Sequence, residues 1–241
     1  METLLLPAYL IVVLAVGVKV FDAVLKWIGT VDYVVPPRWR ERRPHLYGVV
    51  AIVTVVVLES IVLVAFGGSA VSAAIALTVF VGPIEELSKL LPFWAVRGTQ
   101  LVRWRVTISA AMTFAVIEAV LYGIVLIITG NILGALLRII VVTFHVLWTT
   151  IALEDALKGR AFVGYLKSSL LHSLYDAPVI MVLVGVSATI TVPLTLAGIL
   201  AVIYMYRRVD GAFGYAYSIG RREIEERRRK TEREECLTSS P

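Results

Sequence analysis

Long apolar runs, separated by short polar breaks, dominate this chain. The runs cover approximately residues 4–27, 46–66, 70–95, 106–128, 132–153, 161–184 and 188–206. Each is close to the roughly 20 residues that a helix needs to cross about 30 Å of hydrocarbon. The pattern therefore predicts an all-α fold: a polytopic membrane bundle of about seven transmembrane helices.

The polar breaks are of two kinds, and the two kinds alternate along the chain. Residues 38–45, 97–105 and 158–160 are basic, whereas 67–69, 129–131 and the stretch around Ser187 carry no charge. Basic loops remain on the cytoplasmic side of a membrane. We therefore expect an outside N-terminus, a membrane domain over 1–206 and a charged cytoplasmic tail over 207–241.

Composition agrees with a multi-pass protein of the cell membrane. Hydrophobic residues make up 59% of the chain, and the mean hydropathy is +0.85. The net charge of +5 comes from basic residues that border apolar runs. These residues set topology beside the lipid bilayer, so no nucleic-acid partner is expected. Cys236 is the single cysteine, which excludes an internal disulfide and a thiolate-rich metal site.

Several apolar runs contain ionisable or hydrogen-bonding side chains. Such charges cost at least about 2.5–3.5 kcal/mol at the bilayer centre and usually mark function. These residues are Glu85, Glu86 and Lys89 in the third run, Glu118 and Tyr122 in the fourth, His145 in the fifth, and His172 and Asp176 in the sixth. From the predicted topology, one group of each run, Glu85, Glu118, His145 and His172, lies in one layer, roughly 12–18 Å from the cytoplasmic edge at about 1.5 Å per residue.

Spacing predicts which of these side chains meet. Glu85 and Lys89 are four residues apart and share a helix face, while Glu86 points about 100° away. His172 and Asp176 are also four apart, and a carboxylate beside an imidazole fixes its tautomer.

A second pair of charges lies nearer the outer side. Glu59 in the second run and Arg138 in the fifth have similar predicted depths. We expect them to form a structural ion pair.

Glutamates and histidines in a dry pocket can activate water in two ways. A carboxylate can take the proton while imidazoles stabilise the oxyanion, or the same groups can hold Zn²⁺ with an open position for water. The residues alone leave both mechanisms open.

The motifs resemble those of PrsW-type intramembrane proteases, which belong to a superfamily with CAAX prenyl endopeptidases and Abi proteins. The resemblance covers roughly residues 70–185. It rests on Glu85-Glu86-x-x-Lys89, Phe114-x-x-x-Glu118, His145 and His172-x-x-x-Asp176. Ala119 departs from the pattern, because PrsW-like proteins usually have asparagine there.

This resemblance implies an endopeptidase that cuts membrane proteins or membrane-anchored peptides. It implies catalytic roles for Glu85, Glu86, His145 and His172, with Glu85 as the general base. Lys89, Glu118, Tyr122 and Asp176 are then supporting residues. In a metal-dependent mechanism, Glu118, His145 and His172 are the expected ligands.

Two other functions are compatible with the same residues. The superfamily includes the scaffold subunit of γ-secretase, so a non-catalytic membrane scaffold is one alternative. Buried Glu and His chains also serve proton-coupled transporters, which is the other.

Overall fold

The computed structural model describes residues 2–238 as a bundle of seven long α-helices without a strand. A short 3₁₀ helix, Pro37–Arg42, precedes the second α-helix. The seven helices are α1 Glu2–Asp32, α2 Pro44–Phe66, α3 Ala70–Ala95, α4 Gln100–Ile128, α5 Ile132–Leu157, α6 Ala161–Leu183 and α7 Ala188–Thr238. The all-α prediction is confirmed.

Six of these helices are long and apolar enough to cross a membrane, which fits a multi-pass membrane protein. They are α1 to α5 and α7. The sixth predicted span coincides with α6, which falls outside this group. Lys167, His172 and Asp176 give α6 a more polar composition.

Tight turns make the neighbouring helices antiparallel, and local sequence explains where they end. Ser69 caps α3 through a reciprocal capping box with Ser72. After α5, Gly159 adopts a left-handed conformation with φ 77°. The amides of Gly159 and Arg160 then bond back to Ala156 and Asp155, which satisfies carbonyls at the helix end.

Helix α5 lies at the centre of the bundle. Every residue from Thr143 to Leu157 is buried, so this half of the helix is covered on all sides. It packs mainly against α4 and α6, and also contacts α1, α7 and α3. A residue on the buried half of α5 therefore faces protein in whichever direction it points.

Helix α7 continues without a break past residue 206 and runs for 51 residues. Val209, Ala212, Phe213 and Ala216 remain buried along this extension. The Arg208 guanidinium also donates a hydrogen bond to the carboxylate of Glu154 on α5. The packed part of α7 thus extends well into the region predicted as a tail.

Helices α3 and α6 pack closely at Gly82, and this contact positions the residues of α3 that follow Gly82. A Cβ at Gly82 would lie 2.4 Å from the Ser169 carbonyl oxygen and 2.5 Å from Ser173 Oγ. Only glycine allows the two backbones this separation. Because Glu85 and Glu86 come one turn later, the same contact brings them beside α6.

Substitution of Gly82 should therefore loosen this contact. We expect Gly82→Ala to lower the free energy of unfolding by about 1–3 kcal/mol through overpacking. Gly123→Ala is the matched control, because a Cβ there meets no atom within 4 Å. Thermal unfolding in detergent, followed by tryptophan fluorescence, measures both; equal stability of the two variants would contradict the close approach.

Candidate active site

Four helices bring the predicted polar side chains into one buried cluster. Helix α3 contributes Glu85, Glu86 and Lys89, while α4 to α6 contribute Glu118, His145 and His172. All six residues are buried, and Glu86 and Lys89 are 0% exposed. The cluster therefore lies in a low-dielectric interior, where charges need partners.

The Lys89 ammonium lies among three partners. Its Nζ is 2.5 Å from Glu86 Oε1, 3.5 Å from Glu85 Oε2 and 2.9 Å from His145 Nδ1. The shortest contact is with Glu86, three residues earlier, although spacing alone favoured Glu85. Residues three apart also share a helix face, and here the fully buried Glu86 carboxylate makes the closest contact with the Lys89 ammonium.

Aromatic rings cover the remaining sides of this ammonium. Nζ lies 5.1 Å from the ring centroid of Phe114 and 5.4 Å from that of Trp148. Both distances suit cation–π attraction. Phe114 is thus the aromatic wall of the site as well as the first residue of its motif.

His172 is held at both ring nitrogens and on one face. Its Nδ1 is 3.0 Å from Glu86 Oε1, and its Nε2 is 3.2 Å from Asp176 Oδ2. Trp148 stacks on the imidazole with ring centroids 3.8 Å apart and planes 14° apart. The structure thus places Asp176 beside His172, as the spacing indicated, and adds Glu86 on the opposite nitrogen.

Glu118 bridges two residues of the neighbouring helix. Its Oε2 lies 2.7 Å from His145 Nε2, and its Oε1 accepts a hydrogen bond from Arg138. Tyr122, one turn further along α4, stacks under the guanidinium, whose carbon is 4.3 Å from the ring centroid. Tyr122 itself is 51% exposed.

The predicted ion pair between Glu59 and Arg138 is wrong. Arg138 pairs instead with Glu118. Helices α4 and α5 are adjacent and antiparallel, so the guanidinium meets a carboxylate next to it rather than one on α2. Glu59 is half-buried, and its Oε1 has no hydrogen-bond partner.

Glu85 has a carboxylate oxygen that no donor engages. Its Oε2 is buried and accepts no hydrogen bond. The oxygen lies 3.5 Å from His145 Nδ1 and 3.8 Å from His172 Nε2, so both imidazoles face it. Glu86 also has a buried oxygen without a hydrogen-bond partner, Oε2. The two glutamates differ in that Glu86 Oε1 contacts Lys89 and His172, whereas the unpartnered oxygen of Glu85 faces the two imidazoles.

The cluster contains three candidate metal ligands, but Glu85 takes the place of Glu118 in the expected set. Glu85, His145 and His172 each offer a ligand atom, and these atoms lie within 4.8 Å of one another. Glu118 does not belong to this group; its oxygens lie beside Arg138 and His145 Nε2. Glu118 lies beside Nε2 of His145, and Glu86 lies beside Nδ1 of His172. Around zinc, carboxylates commonly orient the ligand histidines in this way.

The donors fit zinc in type and spacing, but Lys89 competes for the same space. Its Nζ lies close to two of the three ligand residues, at 2.9 Å from His145 and 3.5 Å from Glu85. An ammonium and a divalent cation repel each other at such separations. Metal binding therefore requires the lysine to move away.

Two site residues are not recognisable from sequence alone. Trp148 lies in an apolar stretch three residues after His145, where an aromatic residue is ordinary core material. Arg138 was identified as a buried charge, but its partner depends on how α4 and α5 pack. Its spacing of seven residues from His145, two turns on one helix face, is the signal that could have linked it to the site.

Comparison with protein-family models, with curated proteins and with solved structures finds no match to this chain.

Removal of the Lys89 charge should favour metal binding. We expect Lys89→Met to bind Co²⁺ at least about tenfold more tightly than wild type, because repulsion of the metal is relieved. Added Co²⁺ should also restore stability that the variant loses by leaving Glu86 unpaired. Visible absorption of Co²⁺ and thermal unfolding measure the two effects.

Lys158→Met is the control for this experiment. Lys158 pairs with Glu154 at the end of α5, away from the cluster. Equal Co²⁺ affinity in wild type, Lys89→Met and Lys158→Met would show that Lys89 does not compete with a metal.

Proposed function

We propose that this chain is an intramembrane endopeptidase that cuts membrane proteins or membrane-anchored peptides with water activated by Glu85. One observation carries the proposal: Glu85 Oε2 is buried, has no hydrogen-bond partner and faces the rings of His145 and His172. The PrsW-like order of motifs in the sequence supports the same activity.

The proposed reaction begins with a water molecule beside Glu85. The carboxylate takes a proton from water, and the hydroxide attacks the carbonyl carbon of the scissile peptide. The Lys89 ammonium stabilises the oxyanion by its positive charge, and the imidazoles of His145 and His172 line the place where the water and the oxyanion bind. The C–N bond then breaks, and Glu85 returns its proton to the leaving amine.

The remaining residues keep this set in position. Glu86 fixes the Lys89 ammonium and His172 Nδ1, and Asp176 faces His172 Nε2. Glu118 faces His145 Nε2. If zinc is bound, Glu85, His145 and His172 hold it, and it polarises the carbonyl and lowers the pKa of water.

In the membrane, we propose seven spans, and these include α6. Its polar residues His172 and Asp176 face protein partners rather than lipid. The basic loops and the charged end of α7 are then cytoplasmic, and the N-terminus is outside. The protein is accordingly a multi-pass protein of the cell membrane.

Loss of the general base should abolish cleavage. We expect Glu85→Gln to reduce turnover at least about 100-fold, because a positioned base contributes roughly 10²–10⁴ to the rate. His172→Ala should have a similar effect. Since the substrate is unidentified, the measurement is mass spectrometry of new protein N-termini in membranes that contain wild type or variant.

Glu154→Gln is the matched control, since Glu154 is a buried carboxylate that pairs with Lys158 and Arg208 rather than with the site residues. The proposal fails if Glu85→Gln and His172→Ala generate the same new N-termini as wild type at the same rate. It also fails if no cleavage occurs and solute or proton flux into proteoliposomes depends on Glu118, since that result identifies a transporter.

The proposed orientation can be tested through the only cysteine. Cys236 is exposed on the charged end of α7. We expect a membrane-impermeant maleimide to label Cys236 only after the cells are opened, because this end is cytoplasmic. In the double variant Cys236→Ser/Ser187→Cys, the α6–α7 turn should be labelled in intact cells. The opposite labelling pattern would reverse the topology.

A further inference from the structure

We infer that Arg138 is a positioning residue for His145, acting through Glu118. The inference rests on the proposed function, because it assigns Arg138 a role in the same reaction. Neither the motif resemblance nor the buried cluster itself includes Arg138. Its guanidinium lies nearer the outer end of the bundle and does not touch Glu85 or His172.

The geometry of two antiparallel helices supports this inference. On α5, Arg138 and His145 are two turns apart and lie on one face, separated by about 10 Å along the axis. On α4, Glu118 lies between them. Its Oε1 accepts a hydrogen bond from Arg138, while Oε2 lies 2.7 Å from His145 Nε2. The guanidinium thus sets how the carboxylate is turned, and the carboxylate sets how the imidazole is held.

The other ring nitrogen shows why this orientation matters. His145 Nδ1 lies 2.9 Å from Lys89 Nζ and 3.5 Å from Glu85 Oε2. A tilt of the ring would change both distances. A carboxylate that fixes one imidazole nitrogen determines what the other nitrogen can do, as around metal-bound and catalytic histidines.

Tyr122 restrains the guanidinium in turn. It lies on the same face of α4 as Glu118, four residues later, and its ring centroid is 4.3 Å from the Arg138 guanidinium carbon. The Arg138 side chain is 21% exposed, so its position depends on these two contacts rather than on complete burial. Arg138, Tyr122 and Glu118 form one unit beside His145.

The alternative to a positioning role is that Arg138 and Glu118 form an ion pair that only stabilises the fold. A second ion pair in the bundle, between Arg208 and Glu154, serves as a comparison. Arg208 donates to the buried Glu154 through Nη2, the same arrangement as Arg138 with Glu118. Glu154, near the end of α5, also accepts a hydrogen bond from the Lys158 ammonium. Neither of these contacts involves a histidine of the site. Arg208→Met therefore measures what loss of such a pair costs the fold alone.

The first test reads the imidazole directly and does not need activity. The chain has only three histidines, so selective ¹⁵N-histidine labelling in liposomes gives a spectrum of three rings. His45→Gln and His172→Gln assign them. We expect Arg138→Met to shift the His145 ring signals, Arg138→Lys to preserve them and Arg208→Met to leave them unchanged. Unshifted His145 signals in Arg138→Met would overturn the inference.

The second test separates positioning from substrate binding. For a cleaved membrane polypeptide found by the N-terminus experiment, we expect Arg138→Met to lower kcat about 10–100-fold with KM nearly unchanged, as for other groups that orient a histidine. Arg138→Lys should recover most of the loss, and Arg208→Met should keep wild-type kcat. A loss confined to KM, or an equal loss in Arg208→Met, would contradict a positioning role.

The two tests distinguish failure of this inference from failure of the proposed function. Inactive wild-type protein would refute the endopeptidase, while the His145 signals would still report whether Arg138 holds the ring. Active wild type with wild-type kcat in Arg138→Met would refute the inference alone.

Discussion

The Lys89 ammonium, fully buried among carboxylates and aromatic rings, is the charge on which the arrangement of this bundle depends. Removing such an ion from water costs several kcal/mol unless close partners compensate. Glu86 at 2.5 Å, Glu85 at 3.5 Å and His145 at 2.9 Å supply that compensation from α3 and α5. The rings of Phe114 and Trp148 complete the shell from α4 and α5. Three helices must therefore keep their relative positions for this charge to stay buried.

The same requirement gives the two neighbouring glutamates different roles. One oxygen of Glu86, Oε1, contacts both Lys89 and His172, and the residue has no exposed surface. Glu85 is left with a buried oxygen that accepts no hydrogen bond and lies between two imidazoles. The Lys89 ammonium, 3.5 Å away, is the positive charge near this carboxylate. The site thus combines a buried Lys89–Glu86 ion pair with a Glu85 oxygen that lies between two imidazoles.

A second ion pair lies nearer the start of α5, where the Arg138 guanidinium contacts the Glu118 carboxylate. Helix α5 carries both Arg138 and His145, and its buried half is surrounded by the other helices. This position makes α5 the common support of the site: it contributes the ring that faces Glu85, the tryptophan that stacks on His172 and the arginine that holds Glu118. The helices that pack against α5, rather than its own apolar sequence, determine what these side chains contact.

Hydropathy and spacing determined much of this protein on their own. Long apolar runs predicted the helices because a bilayer tolerates no unpaired backbone. The rarity of buried charge singled out the residues of α3 to α6 that the fold brings together. Contacts within one helix, such as His172 with Asp176, followed from a period of 3.6 residues.

Tertiary structure decided the rest, because partners on different helices depend on packing that no local period encodes. It paired Arg138 with Glu118 instead of Glu59, gave the Lys89 ammonium to Glu86 more closely than to Glu85, stacked Trp148 on His172, and extended the packed part of α7 past residue 206.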